Sequence, residues 1–349
     1  MDGQCLRLAL ALRFGRNSSA LGRLLREQGP AGQLDPAALD PVLNPALRLA
    51  PLPHRHHLSA QLLQLRDAGW RLLALGDPEY PALLASLEDA PGVLFVRGDP
   101  ACLAAPQLAM VGARGASPEG RGNATRLARD LAAAGFVITS GLARGVDAAA
   151  HEGALRGGRT VAVLAGGPGS IYPAGHRELA ERIVAGGGAL VTEFPPGIEP
   201  LRASFPQRNR IISGLSLGTI VVEAAERSGS LVTARLAAEQ GREVFAMPGP
   251  PRNPLTRGCH RLLRDGANWL ETLDDVAEVF PQLRCLASGS ETGDANSGDP
   301  LLRHFTSGRN TLDQLAARSG LNAAELAGRL TELEMRGEIR RLPGGYSLC

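Results

Sequence analysis

Residues 107–140 read QLAMVGARGASPEGRGNATRLARDLAAAGFVITS. A short apolar run leads into a Gly/Ser/Pro turn, a segment of helical spacing follows, and a second apolar run ends in Thr139-Ser140. The rhythm persists downstream. Apolar runs begin near residues 107, 135, 160, 188, 217 and 241 (QLAMVG, GFVITS, TVAVLAG, GALVTE, LGTIVVE, GREVFAMPG), with helical segments such as SLVTARLAAEQ between them. Strands joined by helices at this spacing make right-handed crossovers. The expectation is an α/β chain built on a doubly wound parallel sheet.

The flanks differ in character. Residues 1–65 predict a small helical N-terminal domain, from LRLALALRFG, SSALGRLLREQG and LSAQLLQLRDAGW, interrupted by the proline-rich LDPAALDPVLNPALRLAPLP. His54, His56 and His57 read as part of a solvated linker, because no carboxylate or cysteine sits nearby at ligand spacing. Residues 70–282 form the sheet domain, and the polar, Gly/Ser-rich stretch 283–300 reads as a flexible linker. Residues 301–349 suggest three short helices and a Gly-Gly hairpin, the outline of a winged helix. Its third helix carries Glu325, Glu332 and Glu334 beside Arg329, a poor face for reading duplex DNA.

Composition narrows the chemistry. The chain has 349 residues, 44% of them hydrophobic, and no run near 18 uninterrupted apolar residues. The opening MDGQCLRLALALRFGRNSS lacks the basic n-region and cleavage site of a signal peptide and reads as an amphipathic helix of a cytoplasmic protein. Five scattered cysteines form no CxxC pair, which argues against a disulfide framework or zinc knuckle. All 37 basic residues are arginine. With no lysine, a P-loop lysine and a Schiff base are both impossible. Net charge is +2, yet residues 200–264 hold ten arginines against four glutamates, a local +6 that suits a polyanion.

In an open parallel sheet, ligands bind beyond the carboxyl ends of the strands. The loops there combine glycine with arginine or serine. The first, GARGASPEG, carries Gly112 and Arg114; the second, SGLARGVDAAAH, carries Ser140, Gly141, Ala143, Arg144 and Gly145. Glycines let backbone amides approach an anion, and helix N-termini favour it electrostatically. The spacing misses GxGxxG and the second strand ends without a carboxylate, so a dinucleotide cofactor is not expected. FPQRNRIISGLS, residues 205–216, puts Ile211, Ile212 and Leu215 on one apolar stripe and Gln207 and Arg208 one turn earlier, aimed at the crevice. Arg210 and Asn209 are expected on the flanks. Phe205 reads either as a base-stacking ring beside phosphate clamps or as core.

Several stretches together resemble the DNA processing protein A family (DprA, also Smf). They include DPEYPALLASLEDAPGVLFVRGD, MVGAR, SGLARGVDAAAHEGAL, TVAVLAGGPGSIYPAGH, TEFPPGIEPLRASFPQRNRIISGLS and VVEAAERSGSLVTARLAAEQGREVFAMPG, in order between residues 77 and 267. The resemblance implies a Rossmann-like domain that binds single-stranded DNA without sequence preference and acts as a homodimer. It implies loading of a RecA-type recombinase during natural transformation, past single-strand-binding protein, without catalysis or cofactor. Carried onto this chain, the implied DNA contacts are Gly112, Arg114, the Ser140–Gly145 loop with Arg144, Phe205 to Arg210, and Ser228, Gly229 and Ser230. The N-terminal segment has GRNSSALG where many relatives carry a GVGP turn. Two rivals stand beside this reading. A nucleotide phosphoribohydrolase would pair Glu193 with Glu223, although no compact PGGxGTxxE motif is present. A winged-helix regulator would bind duplex DNA through residues 301–349.

Overall fold

The computed structural model describes residues 3–28, 55–280, 301, 304–305, 310–335, 339–342 and 345–348. It divides into two compact units, 1–288 and 289–349. The stretch 283–300, read above as a linker, and the proline-rich passage before residue 55 lie outside the described residues.

The first unit begins with helices α1 (Gly3–Phe14), α2 (Ser18–Gln28) and α3 (Arg55–Asp67). Strand β1 (Trp70–Ala74), helix α4 (Ala82–Ala85) and strand β2 (Val93–Gly98) follow. The alternating region then runs β3 (Gln107–Val111), α5 (Pro118–Ala133), β4 (Val137–Ser140), α6 (Val146–Gly157), β5 (Thr160–Val163), α7 (Arg177–Ala185) and β6 (Ala189–Thr192). It continues through α8 (Ser204–Gly214), β7 (Gly218–Val221), α9 (Gly229–Glu239), β8 (Glu243–Ala246), α10 (Arg257–Arg264), β9 (Asn268–Trp269) and α11 (Leu273–Val279).

The six expected runs are β3 to β8, and every pairing among neighbours β6-β5-β4-β3-β7-β8 is parallel. The full sheet has nine strands in the order β1-β2-β6-β5-β4-β3-β7-β8-β9. It is not purely parallel, because β1 and β2 add an antiparallel edge against β6. Side chains alternate across it and feed two cores. Leu108 and Met110 face one core, Ala109 and Val111 the other, with helices packed on both faces. This is an α/β Rossmann-like fold. Capping fixes where helices start. Ser117 accepts from Gly120 N–H at the head of α5, with Pro118 in the first turn, and Ser228 accepts from Ser230 N–H at the head of α9.

The N-terminal helices do not form a core of their own. Leu8 and Leu10 of α1, Leu58 of α3, Leu72 of β1 and Phe95 of β2 belong to one buried cluster. Helix α1 is not amphipathic as its spacing suggested: Cys5, Leu6, Leu8, Ala9, Leu10, Ala11 and Phe14 are all buried, so most of its circumference is covered. His56 and His57 sit in the first turn of α3, exposed, rather than in a linker.

In the second unit, α12 (Leu312–Ser319) and α13 (Ala323–Met335) precede a hairpin of β10 (Ile339–Leu342) and β11 (Gly345–Leu348). Thr311 and Gln314 form a capping box, and Gly320 closes α12 at φ 68°. Leu301, Phe305, Leu315, Leu326, Leu330 and Leu333 make its core, while Glu325, Arg329 and Glu332 are exposed. Two of the three expected helices and the hairpin lie among the described residues, in the order of a winged helix.

Candidate nucleic-acid interface

From β3 the chain winds one way through β4, β5 and β6, then returns to the other side of β3 as β7. Strand order therefore reverses at β3, and loops leaving β3 and β7 diverge to open a crevice there. A cleft of about 790 Å³ occupies that position. Its cationic lining is Arg114 after β3, Arg202 and Arg208 around the start of α8, and Arg227 after β7, against Asp147. A contiguous recess of about 310 Å³ opens beside it, lined by Arg114, Gly141, Arg144, Tyr172, Pro173 and Phe205 among others. A neighbouring cavity of about 640 Å³ between α9 and α10 shares Arg227 with the cleft and sets it, Arg235, Arg242 and Arg261 against Glu226, Glu243 and Asp265, a smaller excess of cations than in the cleft.

The cleft unites most of the residues singled out from the sequence. Gly112, Arg114, Ala143, Phe205, Arg208, Asn209, Ser228, Gly229 and Ser230 line it, and Gly141 and Arg144 line the recess. Four others lie elsewhere. Ser140 is buried and donates to Met110 O at 2.6 Å. Gly145, with φ 78°, sits at the head of α6 where an added Cβ would lie 2.2 Å from Ala113 O, so its part is to let two loops touch. Gln207 turns away from the crevice and donates to Arg16 O at 2.6 Å. Arg210 is not on an open flank. It is buried, ion-paired with buried Glu193 and donating to Asp89 O at 2.7 Å. Asn209, expected on the flank, faces the cleft.

Arg208 is the most constrained of the cleft cations. Its side chain is only 4% exposed, and its Nε has no hydrogen-bond partner. Burial lowers its pKa to about 10, opposed by the charge of Asp147. Burial likewise raises the Asp147 carboxyl, whose Oδ2 accepts from Gly141 N–H at 3.1 Å and Ala143 N–H at 3.3 Å. A buried guanidinium with free hydrogen-bonding capacity gains most from an anion. Gly141 makes room for it: an added Cβ would lie 1.5 Å from Arg208 Nη1.

The ring of Phe205 is half-buried rather than core. The Arg114 guanidinium lies over it, 5.1 Å from the centroid, and Tyr172 meets it in a T-shaped contact at 5.5 Å. Tyr172, Arg202 and Arg227 were not singled out from the sequence. Arg202 and Arg227 lie within loops whose composition was legible, whereas Tyr172 comes near Phe205 only through the sheet order.

The two glutamates of the hydrolase rival serve the framework. Glu193 binds Arg210, and burial pushes its carboxyl up to about 7. Glu223 accepts from Ser117 N–H at 2.8 Å and Ser117 Oγ at 2.6 Å, tying the β3 loop to β7. Among the described residues no group of His, Cys, Asp and Glu could hold a metal ion, and no described helix is long and apolar enough to cross a membrane.

The family described as DNA recombination-mediator protein A matches residues 71–281, and the DprA winged helix domain matches residues 291–345. Protein Smf of Escherichia coli (strain K12) is 41% identical over 333 residues, covering 87% of this chain and 84% of that protein. DNA processing protein DprA of Bacillus subtilis (strain 168) is 40% identical over 223 residues, 63% of this chain and 75% of that one. The X-ray structure of DprA from Streptococcus pneumoniae superposes with a TM-score of 0.64 at 33% identity, covering 80% of this chain and 97% of that one. The Helicobacter pylori protein, described in terms of the unique single-stranded DNA binding mode of DNA processing protein A, gives a TM-score of 0.55 at 29% identity, covering 61% of this chain and 96% of its own. A chain that matches the family over its sheet and its winged helix, and a full-length relative at this identity, belongs to the DprA/Smf family of DNA recombination-mediator proteins.

Proposed function

We propose that this protein binds single-stranded DNA in the cleft beyond β3, β4 and β7, and that it mediates recombination by passing the strand to a RecA-type recombinase in the cytoplasm. The observation that carries this reading is the gathering of Arg114, Arg202, Arg208 and Arg227 with Phe205 at the point where strand order reverses. Guanidinium groups clamp phosphates and a ring stacks on bases, and neither reads sequence. Relatives that share the fold are named for DNA processing, and one is described by its single-stranded DNA binding. Homodimer formation and displacement of single-strand-binding protein follow from the same family reading.

The chain acts without catalysis in this reading, because Glu193 and Glu223 are engaged by Arg210 and Ser117. Incubation with nucleoside monophosphates should release no free base. Fluorescence polarisation with single-stranded and duplex oligonucleotides at two ionic strengths tests the main claim. Single strands should bind more tightly, with a log–log salt slope of about −0.7 per neutralised phosphate. Preference for duplex that disappears on deleting residues 301–349 would favour the winged-helix regulator instead.

A further inference from the structure

Phe205 is half-buried and already carries two contacts. Arg114 covers one side of its ring and Tyr172 contacts it at 5.5 Å. Tyr172 is different. Like Phe205 it lines both the cleft and the smaller recess, but 54% of it is exposed where Phe205 is half-buried, an unusual fraction for a large aromatic side chain with another ring against it. It is also held in place. Immediately after Pro173 begins the short turn Ala174–His176, and His176 Nδ1 lies 2.8 Å from Leu142 O. A carbonyl only accepts, so Nδ1 carries the proton. Leu142 is fully buried with φ 58°, a conformation that sets the course of the loop carrying Gly141, Ala143 and Arg144. The tyrosine loop and the recess wall are thus tied together across the mouth of the site.

The recess measures about 310 Å³ and has Arg144 and Arg114 at its margin. That is near the low end of small-ligand sites, roughly 300–1,000 Å³, and suits one nucleotide. Resting on the single-strand reading above, we infer that Tyr172 is the principal base-stacking ring, seating one nucleobase in this recess while the adjoining phosphates run into the larger cleft. Phe205 braces Tyr172 and orders Arg114 through its π-face. A pre-positioned ring loses little conformational freedom when a base stacks on it.

The test uses the full chain and an oligothymidylate in polarisation titrations. Tyr172→Ala should raise Kd roughly 5- to 150-fold, the value of one stacked base, with an unchanged salt slope because no charge is lost. Tyr172→Phe should bind like the parent. On an abasic deoxyribose-phosphate oligomer, the parent and Tyr172→Ala should bind alike. In Tyr172→Trp, adding oligothymidylate should quench emission beyond the change shown by the parent, which already contains Trp70 and Trp269. Equal affinity of the parent and the alanine variant for oligothymidylate overturns the inference, as does a phenylalanine variant as weak as the alanine one. A parent that binds no single strand overturns the functional reading as well.

Discussion

Replacing Gly141 by alanine should act on Arg208, two strands further along the chain but in direct contact in space. Gly141 is not among the glycines of positive φ, so the backbone itself tolerates a side chain. The obstacle is local: a Cβ would stand 1.5 Å from Arg208 Nη1 and 2.5 Å from its Cζ, where real contacts stay above 3.0 Å. The guanidinium must retreat by at least the difference, 1.5 Å, in a pocket where it is 4% exposed. A shift of that size takes an N–H···O contact outside hydrogen-bonding range. Losing a charge-assisted hydrogen bond costs about 1.5–3 kcal/mol, roughly a 10- to 150-fold rise in Kd. The salt slope should become shallower by about 0.7 if one phosphate contact goes. Arg208→Ala should reproduce both effects. In the double variant, Gly141→Ala should cost nothing further, because the group it displaces is absent. Polarisation titrations across four variants measure this, with thermal unfolding to confirm that each is folded. Fully additive losses would refute the reasoning, since they would mean that Gly141 acts on DNA independently of Arg208.

Arg210→Ala should behave in the opposite way to Arg208→Ala. Removing one partner of the buried Glu193 pair destabilises by about 3–5 kcal/mol in denaturant unfolding, while the salt slope of the folded protein stays unchanged. His151 supplies a pH test. It is fully buried, its Nδ1 lies 2.7 Å from Thr160 Oγ1, and burial lowers its pKa to about 3 from 6.5. Between those values the unfolded chain binds the proton and the folded one does not, so this stability is present above pH 6.5 and is lost as pH falls toward 3. The loss approaches 1.4 kcal/mol per pH unit, and a His151→Gln variant should show a shallower decline over the same range by urea unfolding. Changing Glu193 to Gln should abolish a second dependence of opposite sign. Its raised carboxyl, about 7 against 4.5, makes the fold gain stability as pH falls through that interval.

The central strands were legible because each is a short apolar run buried on both faces, with glycine following within three residues. Strand β2 carries a similar run, VLFV, buried throughout, yet only the single turn of α4 separates it from β1, too short a spacer to mark it as part of the sheet. Apolar spacing alone does not distinguish such a run from buried helix. The strand-end loops announced Arg114 and Arg144 through their glycines. Arg208 and Arg210 were harder to sort. They stand two positions apart on one helix and so point to different sides, and which side meets the cleft is decided by Glu193 from the end of β6 and Asp89 from the loop before β2. Neither partner is local in sequence. Tyr172 was hidden for the same reason, since it lies 33 positions before Phe205 and meets it only once β5 takes its place two strands from β3.

Helix α8 is fastened from the far end of the chain. Arg16 donates to Ser204 Oγ and to Glu199 O, stacks over Phe194 at 5.6 Å, and offers its own carbonyl to Gln207. The family match begins at residue 71, and a fragment cut there would omit both this fastening and the leucines of α1 and α3 that cover β1 and β2. Such a fragment would leave those faces of β1 and β2 uncovered and free the start of α8, so truncation studies of strand capture should retain the amino-terminal helices to keep Arg208 on its mount.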